Sequence, residues 1–491
     1  MDDSYGGTRR IPSWAVLAIC CAAQFMVVLD VVIVNVALPQ MRDRLGLSVT
    51  GEQWVVNAYT LTFAGFLMLG GRAADLFGRR RIFILGLTVF TLCSLLGGLA
   101  QNGPWLIAAR AAQGLGGAIL APATLSILVT TFTDPGERRR ALGAWSATAA
   151  SGAAVGVLAG GILTSYFGWR WVLFVNIPIG IVLLAGAWLS LARESGPIER
   201  RPLDLTGAVT VTAGLAVLVY GIVSTDVYPW GSGRTIVTLA IGVALLLAFV
   251  ATELWIATDP LIPLGIFRRR ALAAANGIAV TIGAGLFGFY FFLSLYLQEV
   301  NGYSPLRTGL AFFPAGVSTL TGALVGTRIV QVLGPRRQLI LGPGLAAAGM
   351  LWLTMLKAGD PYLGHVLVPL VLVGIGIGLS FVPMTLAATA GVPVHEAGLA
   401  SGLINTTRQI GGALGLAIMA TAAASATAHL GGTVHVTGVT LTAGYTRAFA
   451  IAGGGLVIGA LLALLLPVPD RVPAPVTSGE EIIEPLVAVE R

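Results

Sequence analysis

Apolar blocks of about twenty residues or more alternate along the chain with short stretches rich in arginine, glycine and proline. Twenty residues of helix rise about 30 Å, the thickness of a bilayer's hydrocarbon core, so each block has the length of a spanning helix. The pattern predicts spans at 14–38, 53–71, 82–101, 104–130, 141–164, 171–191, 204–224, 234–256, 271–297, 306–330, 338–356, 365–390, 399–427 and 446–466. The first block, from Trp14, is too long for the apolar core of a cleaved leader and reads as the first span.

Composition agrees. Of 491 residues 56% are hydrophobic and 10% charged, against about 25% charged in soluble domains. The net charge of +7 suggests nucleic acid until the charges are placed. There is one lysine, Lys357, and the arginines gather in alternate connections. These hold Arg9, Arg10, Arg72, Arg79–Arg81, Arg138–Arg140, Arg193, Arg200, Arg201, Arg268–Arg270, Arg328, Arg336, Arg337, Arg471 and Arg491, twenty of the twenty-nine basic residues. That is the positive-inside pattern of a multi-pass inner (plasma) membrane protein with both termini cytoplasmic, not a nucleic-acid groove. Cys20, Cys21 and Cys93 lie inside apolar blocks and read as small core hydrophobes, not a disulfide framework.

The two halves repeat. Gly78-Arg-Arg-Arg-Ile-Phe-Ile-Leu-Gly86 matches Gly334-Pro-Arg-Arg-Gln-Leu-Ile-Leu-Gly342, and Gly143, Gly152 and Gly156 match Gly402, Gly411 and Gly415 at nearly the same offset. Repeats between halves mark secondary transporters, whose two bundles rock about a midplane site. The expected organisation is a six-helix bundle over 1–200, two inserted helices over 201–262, a second six-helix bundle over 263–468, and a mobile cytoplasmic tail over 469–491.

Asp30 is the acid lying clearly inside a span. A carboxylate at a helix centre in a bilayer costs about 2.5–3.5 kcal/mol on insertion scales. Removal from water favours the protonated form of a carboxyl, so Asp30 is the expected proton carrier and a contact for a cationic substrate; a structural ion pair is the alternative. Arg110 is its expected partner, because the two lie about 12 Å and about 9 Å below the same end of their spans. Gln113, one turn on, shares the Arg110 face. Gly71, Arg72, Asp75, Gly78, Arg79 and Arg80 form a loop in which Asp75 caps a helix or pairs with arginines as a conformational latch; a bare orientation signal is the alternative. Gly152, Gly156 and Gly160, with Gly161, put a small-residue face on the fifth span, suited to close packing and bending. Asn35, Trp54, Asn57, Tyr59, Arg408 and Gln409 are candidates for the cavity wall, although Trp54 and Tyr59 also suit interface anchors and Arg408 and Gln409 also suit interior hydrogen bonding. Glu253, Glu299 and Asp226 fall near span ends, where water makes a charge cheap, and His429 and His435 have poor metal spacing. No metal or cofactor site is expected. Lys357 sits in no phosphate-cradling loop and no compact catalytic set occurs, which argues against an ATP-driven pump or an enzyme.

Several of these segments resemble one family. Gly71-Arg-Ala-Ala-Asp-Leu-Phe-Gly-Arg-Arg-Arg81 resembles the cytoplasmic-loop signature of the major facilitator superfamily. Leu29-Asp-Val-Val-Ile-Val-Asn-Val-Ala-Leu-Pro39 is similar to the signature of its fourteen-helix drug:proton antiporters, the QacA/EmrB type. Arg110-Ala-Ala-Gln-Gly-Leu-Gly-Gly117 resembles the fourth-helix motif, and Gly152-Ala-Ala-Val-Gly-Val-Leu-Ala-Gly-Gly161 the antiporter motif, with Val157 where the family usually has proline. The resemblance spans nearly all of the chain except the tail. It implies an all-α membrane protein with fourteen transmembrane helices, two six-helix bundles related by pseudo-two-fold symmetry plus two extra helices. It implies a monomer in the lipid bilayer that exports small amphipathic or cationic drugs in exchange for protons. Export of lipid- or siderophore-like metabolites, or a receptor or channel role, are the alternatives.

Overall fold

The computed structural model describes residues 12–191, 204–226, 228–257, 260–390, 392, 397–430 and 437–467. The expected tail over 469–491 lies outside the described residues, as do Arg9, Arg10, Arg193, Arg200, Arg201 and His435.

Among the described residues the chain is helical throughout, with no strand. The helices are α1 Ser13–Leu45, α2 Val49–Phe77, α3 Arg79–Gly98, α4 Gly103–Thr131, α5 Pro135–Tyr166, α6 Trp171–Phe174, α7 Asn176–Ser190, α8 Leu205–Val223, α9 Gly233–Ala251, α10 Arg270–Leu295, α11 Pro305–Leu353, α12 Val368–Thr389, α13 Ala397–His429 and α14 Gly438–Leu462. Short polar residues set many of the starts. Ser48, Asn102, Asp134, Asp204, Ser232, Ser304 and Thr437 each accept a hydrogen bond from a backbone N–H of the first turn. These caps satisfy donors that a helix end leaves open.

Among the described residues, twelve helical segments are long and apolar enough to cross a membrane. One of them, α11, has 49 residues, about 74 Å of helix and more than twice a bilayer core. Gly334 breaks it with φ 76° and ψ 163°, so the expected spans 306–330 and 338–356 are the two arms of one kinked element. Gly78, its counterpart in the repeat, has φ 93° between α2 and α3. Both positions need a backbone that L side chains rarely adopt, which explains the shared glycine.

The packing repeats as well. A Cβ on Gly156 or Gly160 of α5 would lie 3.1 Å from the Leu29 carbonyl oxygen or 2.8 Å from that of Ile33, both on α1. On α13, a Cβ on Gly411 would lie 2.3 Å from the Val280 carbonyl oxygen, and one on Gly415 2.3 Å from Ala284 Cβ, both on α10. Thus α5 lies on α1 as α13 lies on α10, each pair in near backbone contact. Helices α2, α3 and α4 pack together, α11 lies against α12 and α14, and α8 and α9 form a pair whose α8 touches α2 and α13. Leu61, Leu215, Val219, Ala413 and Ala417 build the small apolar cluster at that junction.

Gly160→Leu places a branched side chain where a backbone already sits, and overpacking of this kind costs about 1–3 kcal/mol. The detergent-solubilised variant should melt several degrees below the parent protein. Leucine at Gly143, where a Cβ would meet nothing within 4 Å, should leave the melting temperature unchanged.

The end of the bundle at which α1 begins is called the terminal end. The described polar contacts between α1–α7 and α10–α14 gather at the opposite end. There Ser294 Oγ and Gln298 Nε2 donate to the Asn35 and Val36 carbonyls, both at 3.2 Å, and the Leu306 N–H donates to Ser165 Oγ at 2.9 Å.

Candidate functional site

Asp30 lies mid-way along α1 with no exposed surface. Gly156 and Gly160 bring α5 against the backbone on either side of it, at Leu29 and Ile33. Its oxygens are all engaged by side chains from other helices. Arg110 Nη1 of α4 meets Oδ2 at 2.5 Å, while Gln113 Nε2 of α4 and Asn176 Nδ2 of α7 each donate to Oδ1 at 2.8 Å. Asn176 Nδ2 also reaches Ser94 Oγ of α3 at 3.0 Å, and Ser94 donates to the Leu173 carbonyl at 2.8 Å. Helices α4 and α7 therefore converge on one carboxylate of α1, and α3 joins them through Asn176.

Arg110 is 2% exposed and holds more than the ion pair. Nη1 donates to Gln113 Oε1 at 2.8 Å, Nε donates to the Val55 carbonyl at 3.3 Å, and the guanidinium carbon stands 4.4 Å from the centre of the Tyr59 ring. A Cβ on Gly114 would lie 2.3 Å from the Tyr59 carbonyl oxygen, so glycine there lets α4 approach α2 and seats Arg110 over the ring. A buried cation is tolerable when a carboxylate, two neutral acceptors and an aromatic face share it. If Asp30 becomes neutral, three of those four partners remain.

The expected partners thus meet, and Gln113 with them. Sequence reasoning passed over Asn176 and Ser94. The available signal was an asparagine with no polar neighbour on its own helix at the head of an apolar block, Asn176-Ile-Pro-Ile-Gly180. Other expectations need correcting. Asn57, Tyr59 and Gln113 have no exposed surface and Gln409 is 7% exposed; helices cover them, so they line no open cleft. Tyr59 faces Arg110 instead of a membrane interface. Trp54 is half-buried against Tyr220 of α8, with ring centres 6.5 Å apart. Asn35 turns back on its own helix and donates to the Val31 and Val32 carbonyls at 3.1 and 3.4 Å. Arg408 is half-buried, donates to Asn405 Oδ1 at 2.8 Å and lies 5.4 Å from the centre of the Phe381 ring. Glu253 and Glu299 are not bathed in water near span ends. Glu253 is 5% exposed and accepts from the Ile262 N–H at 2.9 Å, and Glu299 pairs with Arg42.

The expected arginine-rich loop is instead the end of α2 and the start of α3, with Gly78 alone between them. There Arg72 donates to the Pro260 carbonyl at 2.9 Å, beyond α9, and Arg79 Nε donates to Ser126 Oγ of α4 at 2.7 Å. Arg80 donates to the Trp188 carbonyl of α7 at 2.9 Å. Gly71 sits in ordinary contact with Pro122. The side chain of Asp75 lies outside the described residues. Gly161, unlike its neighbours in the motif, turns to the second group of helices, where a Cβ would lie 2.6 Å from the Pro305 carbonyl oxygen.

A polytopic helical bundle with a charged network buried between its helices is an integral membrane protein of the kind transporters are built from. Residues 20–416 match the Major Facilitator Superfamily, and the chain belongs to that superfamily. It is 42% identical over 479 residues to the puromycin resistance protein pur8 of Streptomyces alboniger, covering 96% of this chain and 94% of that one. It is 44% identical over 414 residues to the cephamycin export protein CmcT of Amycolatopsis lactamdurans, covering 83% and 85%. The fold is that of a bacterial homologue of the human lysosomal transporter Spinster, solved inward-facing and unoccupied, with a TM-score of 0.66, 17% identity, and coverage of 94% of this chain and 100% of that one. A D-xylose-proton symporter gives a TM-score of 0.65 at 13% identity, covering 92% and 98%.

Proposed function

We propose that this protein is a proton-coupled exporter of small amphipathic drugs or antibiotics, working by alternating access as a monomer in the plasma membrane. The named activities of the pur8 and CmcT relatives support export of an antibiotic-like cargo. The observation that carries the coupling is Asp30, sealed inside the bundle and held by Arg110, Gln113 and Asn176. Binding a proton removes the ion pair and leaves Arg110 with Gln113, Val55 and the Tyr59 ring. The pull of α4 on α1 weakens, and a bundle balanced between two packings is tipped. A cationic cargo competes for the same carboxylate only once helix motion uncovers it.

The division into six, two and six crossings is part of this reading. Counting α11 as two arms and adding α5 to the twelve apolar segments, in which α6 and α7 already join as one, brings the crossings to fourteen. α1–α7 form one bundle, α8 and α9 the inserted pair, and α10–α14 the second bundle. The arginine distribution supports a cytoplasmic terminal end, and in this reading the contacts around Ser165 and Ser294 seal the outer mouth. The segment from Gly71 to Arg80, the end of α2 and the start of α3 about Gly78, is then a cytoplasmic latch, tying α2 and α3 to α4, α7 and the connection after α9.

Everted vesicles containing the protein test all of this at once. An imposed pH gradient, acid inside, should drive saturable uptake of a substrate from a panel of antibiotics and lipophilic dyes, with measurable proton efflux. Uptake that ignores the gradient and follows added ATP, or conductance without saturation, would overturn the proposal.

A further inference from the structure

The outer mouth contains a buried acid that belongs to none of the motifs. Glu52, in the first turn of α2, has no exposed surface, and neither of its carboxyl oxygens has a hydrogen-bond partner. The nearest cation is Arg42 at the end of α1, whose Nη1 stands 3.5 Å from Glu52 Oε2, too far for a hydrogen bond. That guanidinium is committed elsewhere. It lies 2.5 Å from Glu299 Oε1, at the outer end of the helix that continues α10, and Glu299 Oε2 accepts from the Tyr445 hydroxyl of α14 at 2.6 Å. The remaining charged group facing the cluster is Asp43, exposed to solvent, 3.8 Å from Arg42 Nε. One cation thus faces two carboxyls, Glu52 fully buried and Glu299 half-buried, and the nearer of the two takes it.

A buried carboxylate without a hydrogen bond or a partner of its own is not sustained as an anion; it takes a proton or moves to water. The cluster also crosses the two groups of helices, since Arg42 and Glu52 belong to the first and Glu299 and Tyr445 to the second. We infer that Glu52 is a second proton-binding site, one that holds a proton while the outer mouth is closed and releases it to external water when the Arg42–Glu299 bridge parts. This rests on the orientation given under Proposed function, which puts the cluster on the proton-rich side. Proton uptake and closure are then the same step. The anion of Glu52 is stable only where the open mouth wets it, so external acid favours the closed state and external alkali the open one. The proton returns to the side it came from, so Glu52 sets the bias of the gate and adds nothing to the transport stoichiometry.

Closure can be read as a distance. Spin labels at Tyr166→Cys, 70% exposed at the end of α5, and at Lys357→Cys, exposed beyond α11, report on the outer mouth of the full chain in lipid nanodiscs. The native cysteines are replaced by alanine. Asp30→Asn is added so that the central carboxyl contributes no response. In that background the short-distance population should grow from minority to majority as the pH is lowered, because the closed state binds one proton more than the open one. Adding Glu52→Gln, which copies the protonated side chain, should give the short distance at every pH, and Glu52→Asp should restore a pH response. Loss of all pH dependence on Asp30→Asn alone would overturn the inference, as would a Glu52→Gln protein with an unchanged midpoint. Failure of Glu52→Gln to fold would count against it too, because a neutral side chain is what the closed state is argued to hold. None of these outcomes depends on which cargo is carried or on whether Asp30 couples transport.

Discussion

Asp30→Asn should reduce pH-gradient-driven efflux in everted vesicles to the background of vesicles lacking the protein, while the variant still folds and reaches the membrane. Asparagine has nearly the same shape as the carboxylic acid, and its oxygen can still accept from Gln113 and Asn176, which both donate to Oδ1. Its amide nitrogen then faces Arg110 where Oδ2 now accepts. Two donors repel, and the guanidinium retreats to Gln113 Oε1, the Val55 carbonyl and the Tyr59 ring. The variant is thus fixed in an approximation of the proton-bound state. It should still exchange cargo down a concentration gradient, because no proton need move in that mode. Undiminished gradient-driven transport would remove Asp30 from the coupling. Loss of both modes together with loss of folded protein would make it a structural residue.

The spans were legible in the sequence because hydrocarbon imposes one requirement on every crossing residue, an apolar side chain on a self-satisfied helix. Asp30 and Arg110 were legible for the converse reason: each is a polar exception inside such a block, and their depths agree. The boundary around Gly334 was not. A glycine flanked by proline and arginines reads as a loop between two spans, but the helix on either side continues to within a residue of the break, leaving a kink. Asn176 was missed because a single amide in an apolar block says nothing about its neighbours until α7 is packed against α1 and α3. Glu52, Glu299 and Arg42 were missed because sequence places them near span ends, where water is close. The packing of α1, α2, α10 and α14 removes that water. Depth along a helix was readable; depth inside the bundle was not.

Arg110→Leu should be the most destabilising single substitution in the site. Removing one member of a buried ion pair costs about 3–5 kcal/mol, because the partner's charge stays behind. In this site Asp30 would keep Gln113 and Asn176 as donors but lose its cation, and the Tyr59 ring would lose the guanidinium stacked on it. The Asp30→Asn/Arg110→Leu double variant removes the stranded charge as well and should recover much of that loss, so the two single effects should sum to more than the double. The coupling is measurable from the melting of the four proteins in one detergent. Strict additivity would mean that Asp30 and Arg110 are held in place by the bundle and not by each other. Neither Arg110 variant should show gradient-driven efflux, even where stability returns. A stable but uncoupled double variant would separate the two roles of the pair, since the fold requires only that no charge be stranded, whereas coupling requires a charge that a proton can cancel.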